Sequence, residues 1–183
     1  EFGLSNNKKL VLFVMGSLGA SKVNNFLIDT MKLFNNKDYE VLYVTGKNDY
    51  DSTIKHKFPD NVKIVSYIDG LARIMKKTDL IVTRAGASTL SEIIALDIPS
   101  VLIPSPYVPN NHQYKNAMDL VNENAAILIE EKDLNSEDFV KIIDDLINND
   151  SKLKSMKDNL KTLKTDNSAK LIYDVIKSLI DRK

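Results

Sequence analysis

Short, continuous apolar runs rich in β-branched residues alternate along this chain with stretches of helical periodicity, and few folds accommodate that rhythm. The runs are Leu10–Met15, Glu40–Thr45, Val62–Ser66, Leu80–Thr83, Ser100–Ile103 and Ala126–Ile129. Most are apolar throughout instead of alternating with polar residues, as strands covered on both faces are. Between the first two, Val23, Phe26, Leu27, Thr30, Met31 and Phe34 fall on one face of a helix. Shorter helices are predicted after Asn48, Gly70, Ser88 and Gln113. The repeating βαβ unit implies an α/β fold: a Rossmann-like, doubly wound parallel sheet of about six strands. From about Ser136 the pattern becomes helical, with breaks near Asp150 and Asp166. The last helix carries an apolar stripe of Leu171, Ile172, Val175, Ile176, Leu179 and Ile180. That stripe reads most simply as core, and otherwise as a surface that docks a further domain.

A sheet of this kind makes a topological prediction. In the strand order 3-2-1-4-5-6, strands 1 and 4 lie side by side, and ligands bind beyond their carboxyl ends. The two most glycine-marked turns fall there: Gly16-Ser17-Leu18-Gly19 after strand 1, and Arg84-Ala85-Gly86-Ala87-Ser88 after strand 4. Each opens a helix, and a helix N-terminus with free backbone N–H groups suits an anion such as a phosphate. The first turn is neither G-x-G-x-x-G nor a P-loop, and a tight βα turn explains it equally well.

The second turn leads into Thr89-x-x-Glu92, which supports two readings. As a capping box, Glu92 reaches back to a backbone N–H, a contribution of about 1 kcal/mol. As a ligand contact, its two carboxylate oxygens accept hydrogen bonds from a sugar diol. Arg84 divides similarly between a diphosphate contact and a surface ion pair, the commoner fate of an arginine. After strand 5, the segment Pro104–Tyr114 is a long, proline-stiffened polar loop. Asn111, His112 and Gln113 can present donors and acceptors to sugar hydroxyls, or Asn111 or His112 can cap the following helix. The lysines from Lys152 to Lys164 read as a solvated helix face.

Several classes of function are excluded or disfavoured. The 25 Lys+Arg against 25 Asp+Glu give a formal net charge of zero, which argues against a bulk electrostatic nucleic-acid binder. There is no cysteine, hence no disulfide framework and no thiolate metal site. The two histidines, His56 and His112, form no pair with metal-ligand spacing, so no protein-built metal site is expected. No Ser-His-Asp or Cys-His set is apparent. No apolar run approaches the roughly 20 residues that cross a bilayer, and the N-terminus does not read as a signal peptide. The chain begins Glu1-Phe2-Gly3-Leu4 without an initiator Met, which reads as a fragment of something longer or a cloning remnant.

Five segments in this order resemble one family: Met15-Gly-Ser-Leu-Gly-Ala20, Tyr67-Ile-Asp69, Arg84-Ala-Gly-Ala-Ser-Thr-Leu-Ser-Glu92, Pro99-Ser-Val-Leu-Ile-Pro-Ser105 and Asn111-His-Gln-Tyr-Lys-Asn-Ala117. The chain is similar, over nearly all of its 183 residues, to the C-terminal, donor-binding half of MurG-type GT-B glycosyltransferases. These bacterial enzymes add N-acetylglucosamine from UDP-N-acetylglucosamine to lipid I, giving lipid II for peptidoglycan. The resemblance implies that residues 1–183 form one donor-binding domain with C-terminal helices. It implies that Ser17 lies near the diphosphate and donor, and that Tyr67 and Ile68 hold uracil through backbone groups. It places Ala87, Ser88 and Thr89 at the phosphate-facing helix N-terminus, Glu92 on the ribose, and Gln113 and His112 at the sugar hydroxyls. The sequence departs from the family pattern at Met15, where a glycine is usual, at Leu18, where a polar residue is common, and at His112, which replaces a glutamine of some members.

Nothing in the chain matches the family's acceptor-binding half, which carries the general base and the membrane-facing patch. The implied chemistry is inverting transfer, with no catalytic residue in this chain and no cofactor held by protein ligands. The implied partners are UDP-N-acetylglucosamine directly, and lipid I and the inner face of the bacterial membrane through the other half; nucleic acid is not among them. Three alternatives remain at this point. One is a donor-binding subunit of a two-component transferase, another a non-catalytic UDP-sugar-binding module. The third, a nucleotide-sugar epimerase, needs catalytic acids that have no place in the sequence.

Overall fold

The computed structural model describes residues 2–5, 7–15, 21–164 and 168–181. Six strands form one parallel sheet: β1 (Lys9–Val14), β2 (Tyr39–Val44), β3 (Val62–Val65), β4 (Leu80–Thr83), β5 (Ser100–Leu102) and β6 (Ala126–Leu128). Their order is β3-β2-β1-β4-β5-β6, the doubly wound arrangement that the sequence rhythm predicts. Strand bounds differ from the sequence reading by about one residue; Met15, Thr45 and Ile103 are buried just beyond the strands they follow, and Thr45 and Ile103 still donate backbone hydrogen bonds to Val65 O and Thr83 O of the neighbouring strands.

Both faces of the sheet are covered, which explains the continuous apolar runs. Helices α1 (Ser21–Met31) and α6 (Ser136–Ile147) cover one face. There Val11 and Phe13, Val41 and Tyr43, and Leu80 and Val82 meet Val23, Leu27, Phe139 and Ile143. Phe13 packs edge-on against Phe34, with centroids 5.9 Å apart, and Phe26 packs edge-on against Phe139 at 5.6 Å. Such pairs add roughly 0.5–1.5 kcal/mol each beyond area burial. The alternate residues Leu10, Leu12, Leu42 and Ile81 point to the other face, covered by α3 (Leu71–Met75), α4 (Ala87–Leu96) and α5 (His112–Asn122). Helix α2 (Lys47–Thr53) follows β2. Its Asp49 accepts a hydrogen bond from Asn24 of α1.

Helix α7 (Asp150–Thr162) joins the two cores, with Leu153 and Met156 in the first and Leu160 in the second. Its lysines stay in solvent as expected: Lys154 and Lys161 pair with Asp158, and Lys164, just past the helix, pairs with Asp97. Asn149 caps it, accepting from Lys152 N–H, so the break near Asp150 is real. The break expected near Asp166 lies outside the described residues.

The last helix, α8 (Ser168–Ile180), corrects the sequence reading. Its apolar stripe is not core: Leu171, Ile172, Val175, Ile176, Leu179 and Ile180 are all 51–66% exposed. The physical reason is that the helices before it already cover both faces of the sheet. Amphipathic periodicity reports that a face is meant to be buried, not by what.

Candidate functional site

The carboxyl edge of the sheet gathers the turns that follow β3, β4, β5 and β6. The turn after β4 is the best defined. Thr83 is buried, Arg84 is half-buried, and Gly86 occupies the position before α4 in extended backbone (φ −71°, ψ 141°). Gly86 is not required there by a left-handed φ. A Cβ at this position would meet only Thr89 Oγ1, at 4.0 Å, among the described residues. Glycine thus leaves open space in front of the helix.

Helix α4 begins with Ala87, and no side chain among the described residues caps it. Its first turn carries no acidic residue, so the orphan N–H groups and the positive end of the dipole are unopposed. Ala87 and Ser88 are exposed and Thr89 is half-buried. The capping-box reading of Thr89 and Glu92 is overturned, because the helix starts three residues earlier than that box requires. Glu92 lies well inside α4, is exposed, and takes no hydrogen bond or ion pair among the described residues. Its carboxylate is left available to a ligand.

The turn after β3 holds Tyr67, 58% exposed, and Ile68, 4% exposed. Ile68 packs into the same apolar cluster as Ala85 and Leu90, and this shared core draws the turn toward the start of α4. Lys47 Nζ lies 5.4 Å from the centre of the Tyr67 ring. Gly70 then adopts left-handed backbone (φ 66°) before α3.

After β5 the chain runs through the 3-10 turn Pro109–Asn111 into α5. Asn110 and Asn111 both have positive φ, 55° and 50°, a conformation asparagine tolerates better than most residues. Neither proposed cap forms. Asn111 stands at the N-cap position without a side-chain cap, and the His112 ring Nδ1 contacts the Pro109 carbonyl at 3.0 Å. Gln113 Oε1 accepts from Ser105 N–H at 2.9 Å, which leaves its amide N–H groups as the donors it can offer a ligand. Asn116 Nδ2 donates to Ala85 O at 3.3 Å, tying α5 to the turn after β4. Ser17, expected near the donor, lies outside the described residues.

Arg84 makes an ion pair, but not the surface pair that the sequence suggested. Its Nη2 lies 2.5 Å from Glu131 Oε1, and its Nη1 donates to Ile103 O at 3.0 Å. The two side chains are only 12% and 3% exposed. Lys22, in the first turn of α1, approaches from the other side, 3.9 Å from Glu131 Oε2 and 3.4 Å from the Tyr107 hydroxyl. A cavity of about 120 Å³ lies over this cluster, lined by Lys22, Pro104, Asn111, Tyr114 and Glu131.

Glu131 and Lys22 were not singled out from the sequence. The available signal was the Glu130-Glu131 pair directly after the sixth apolar run, on the edge where the topology rule places ligands. Among the described residues, no group of three or more His, Cys, Asp or Glu side chains is placed to hold a metal ion. No described helix is long and apolar enough to cross a membrane.

Residues 10–172 match the family model described as the glycosyltransferase family 28 C-terminal domain. The chain is 43% identical to a Bacillus cytotoxicus protein named UDP-N-acetylglucosamine–N-acetylmuramyl-(pentapeptide) pyrophosphoryl-undecaprenol N-acetylglucosamine transferase; the match covers 98% of this chain and 50% of that protein. The same-named protein of Bacillus subtilis is 41% identical, with the same coverage of each. The chain therefore spans about half the length of the relatives it matches. In structure it superposes on Acinetobacter baumannii MurG with a TM-score of 0.84 at 24% identity, covering 97% of this chain and 52% of that one.

Proposed function

The chain belongs to the glycosyltransferase family 28 C-terminal domain family, and on that premise we propose that residues 1–183 form the donor-binding half of an inverting UDP-N-acetylglucosamine:lipid I transferase. The observation that carries the reading is the start of α4. An uncapped helix N-terminus stands at the switch point of the sheet, with an unpaired carboxylate, Glu92, further along the same helix.

In this reading the N–H groups of Ala87, Ser88 and Thr89 receive the diphosphate, with Ser17 beside it and Arg84 in the wall of the crevice. Glu92 accepts hydrogen bonds from both ribose hydroxyls. The backbone of Tyr67 and Ile68 reads uracil, and Gln113 and His112 contact the hydroxyls of the sugar. The chemistry follows from charge. An acceptor hydroxyl attacks the anomeric carbon, the bond to the diphosphate breaks, and UDP departs with added negative charge. A fixed helix dipole and preorganised N–H groups stabilise that charge more in the transition state than in the ground state. The general base that takes the acceptor proton, the lipid I site and the peripheral contact with the inner face of the membrane belong to the companion half.

Calorimetric titration with UDP-N-acetylglucosamine, UDP-galactose, UDP and ADP tests the reading. Binding of the uridine ligands, with UDP-N-acetylglucosamine tightest and ADP absent, supports it. Failure to bind any uridine ligand refutes it. A chain that binds donor yet gives no transfer when joined to an acceptor half is a non-catalytic binding module instead.

A further inference from the structure

We propose that Glu131 is a positioning residue for the donor diphosphate, acting through Arg84; this rests on the donor-site reading above. Arg84 follows β4, Ile103 follows β5 and Glu131 follows β6, so the guanidinium reaches across the end of the intervening strand to be clamped. Two bonds, one to Glu131 Oε1 and one to Ile103 O, fix both the position and the plane of the group. An arginine free in solvent loses rotamer freedom when it grips an anion. Here that freedom is removed before any ligand arrives, which is preorganisation. The remaining guanidinium N–H groups are left to donate.

A carboxylate beside an anion site also repels the anion, so the balance of charge matters. Arg84, Lys22 and Lys132 are three cations against the two carboxylates of Glu130 and Glu131 around the cavity, and since Lys132 pairs with Glu130 the cluster keeps a net charge of +1. Glu131 Oε2 is buried and has no hydrogen-bond partner among the described residues. Lys22 is 69% exposed and 3.9 Å away, beyond hydrogen-bond distance. Its other contact, to the Tyr107 hydroxyl at 3.4 Å, is long and exposed, so Lys22 can turn toward a diphosphate while Arg84 stays clamped. The carboxylate orients one cation and only loosely holds the other.

The test is a double-mutant cycle on the whole chain, read by NMR titration with UDP and, in parallel, uridine. Glu131→Met removes the clamp and should weaken UDP binding by about five- to tenfold while leaving uridine unchanged. Glu131→Gln keeps an acceptor for Arg84 and should restore affinity to within about twofold of the parent. Removing one partner of a buried pair is destabilising, whereas replacing both with apolar residues is often neutral. The pair Arg84→Met and Arg84→Met/Glu131→Met therefore keeps the test open if Glu131→Met alone does not fold. With Arg84 gone, Glu131→Met should have no further effect on UDP affinity. Equal losses for uridine and UDP, tighter UDP binding on removing the carboxylate, or an undiminished Glu131→Met effect without Arg84 would each overturn the proposal. A parent chain that binds no uridine ligand removes the donor-site reading and this proposal together; a parent that binds UDP, with Glu131→Met unchanged, removes this proposal alone.

Discussion

Replacing Glu92 with alanine separates a side chain that supports the fold from one that grips a ligand. The structure sets both magnitudes. Glu92 is exposed, lies beyond the first turn of α4, and neither caps the helix nor joins an ion pair among the described residues. Exposed substitutions away from special features usually change stability by no more than about 0.5 kcal/mol, and alanine is at least as good a helix former. For a chain of this size that is a shift in Tm of about 2 °C or less. Hydrogen bonds to a charged group are worth roughly 1.5–3 kcal/mol. Losing the carboxylate from the ribose should therefore weaken UDP and UDP-N-acetylglucosamine by about 10- to 150-fold. Thermal unfolding and calorimetric titration of the same samples read the two quantities. The reasoning is refuted if Tm falls by several degrees while affinity per folded molecule holds, since Glu92 would then serve the fold. Unchanged affinity with unchanged Tm refutes the ribose assignment outright.

Gly70 sits at φ 66° in the turn between Ile68 and α3, so Gly70→Ala should cost about 1–2 kcal/mol through backbone strain, visible as a lower Tm. The exposed stripe of α8 predicts that Ile176→Lys, at a position 51% exposed, changes stability by less than about 0.5 kcal/mol. Ile143→Ala, at a position 0% exposed, should cost about 2–5 kcal/mol; comparable losses at both would mean that α8 is packed within this chain. Hydrogen bonds from Lys154 and then Lys161 hold Asp158 down at about 2, below the ordinary carboxylate value of 3.8. Its contribution is thus present above pH 3.8 and lost as pH falls toward 2. Because the group is exposed, the Tm difference between the parent chain and Asp158→Asn should be small at pH 7, shrink with salt, and vanish near pH 2. A difference that grows on acidification would reverse the assigned sign.

The sheet was legible in the sequence because strands buried on both faces must be apolar at successive positions, whatever the details of packing. All six strands follow from that pattern, and their order is the usual one for a doubly wound sheet. The placement of most candidate residues at one edge was legible for a related reason. Tyr67, Arg84, the Ala87–Glu92 segment and Gln113 all follow strands at the carboxyl edge, where the topology brings turns together. The state of each polar group was not. Thr89-x-x-Glu92 fits a capping box letter by letter, yet the helix begins at Ala87 and no box forms. A cap depends on the backbone angle at one residue, which local sequence does not settle.

What the sequence by itself determined is therefore the architecture and the edge that gathers the candidate residues, since both depend on periodicity and chain order. Only the tertiary structure decided which charges meet there. Arg84 and Glu131 are 47 residues apart, come from turns after different strands, and pair because β5 holds those turns at a fixed spacing. The same distinction governs α8, whose stripe the sequence shows and whose exposure only the packed core reveals. Local pattern reports what a residue requires, while the partner that meets the requirement is chosen by contacts that sequence distance does not encode.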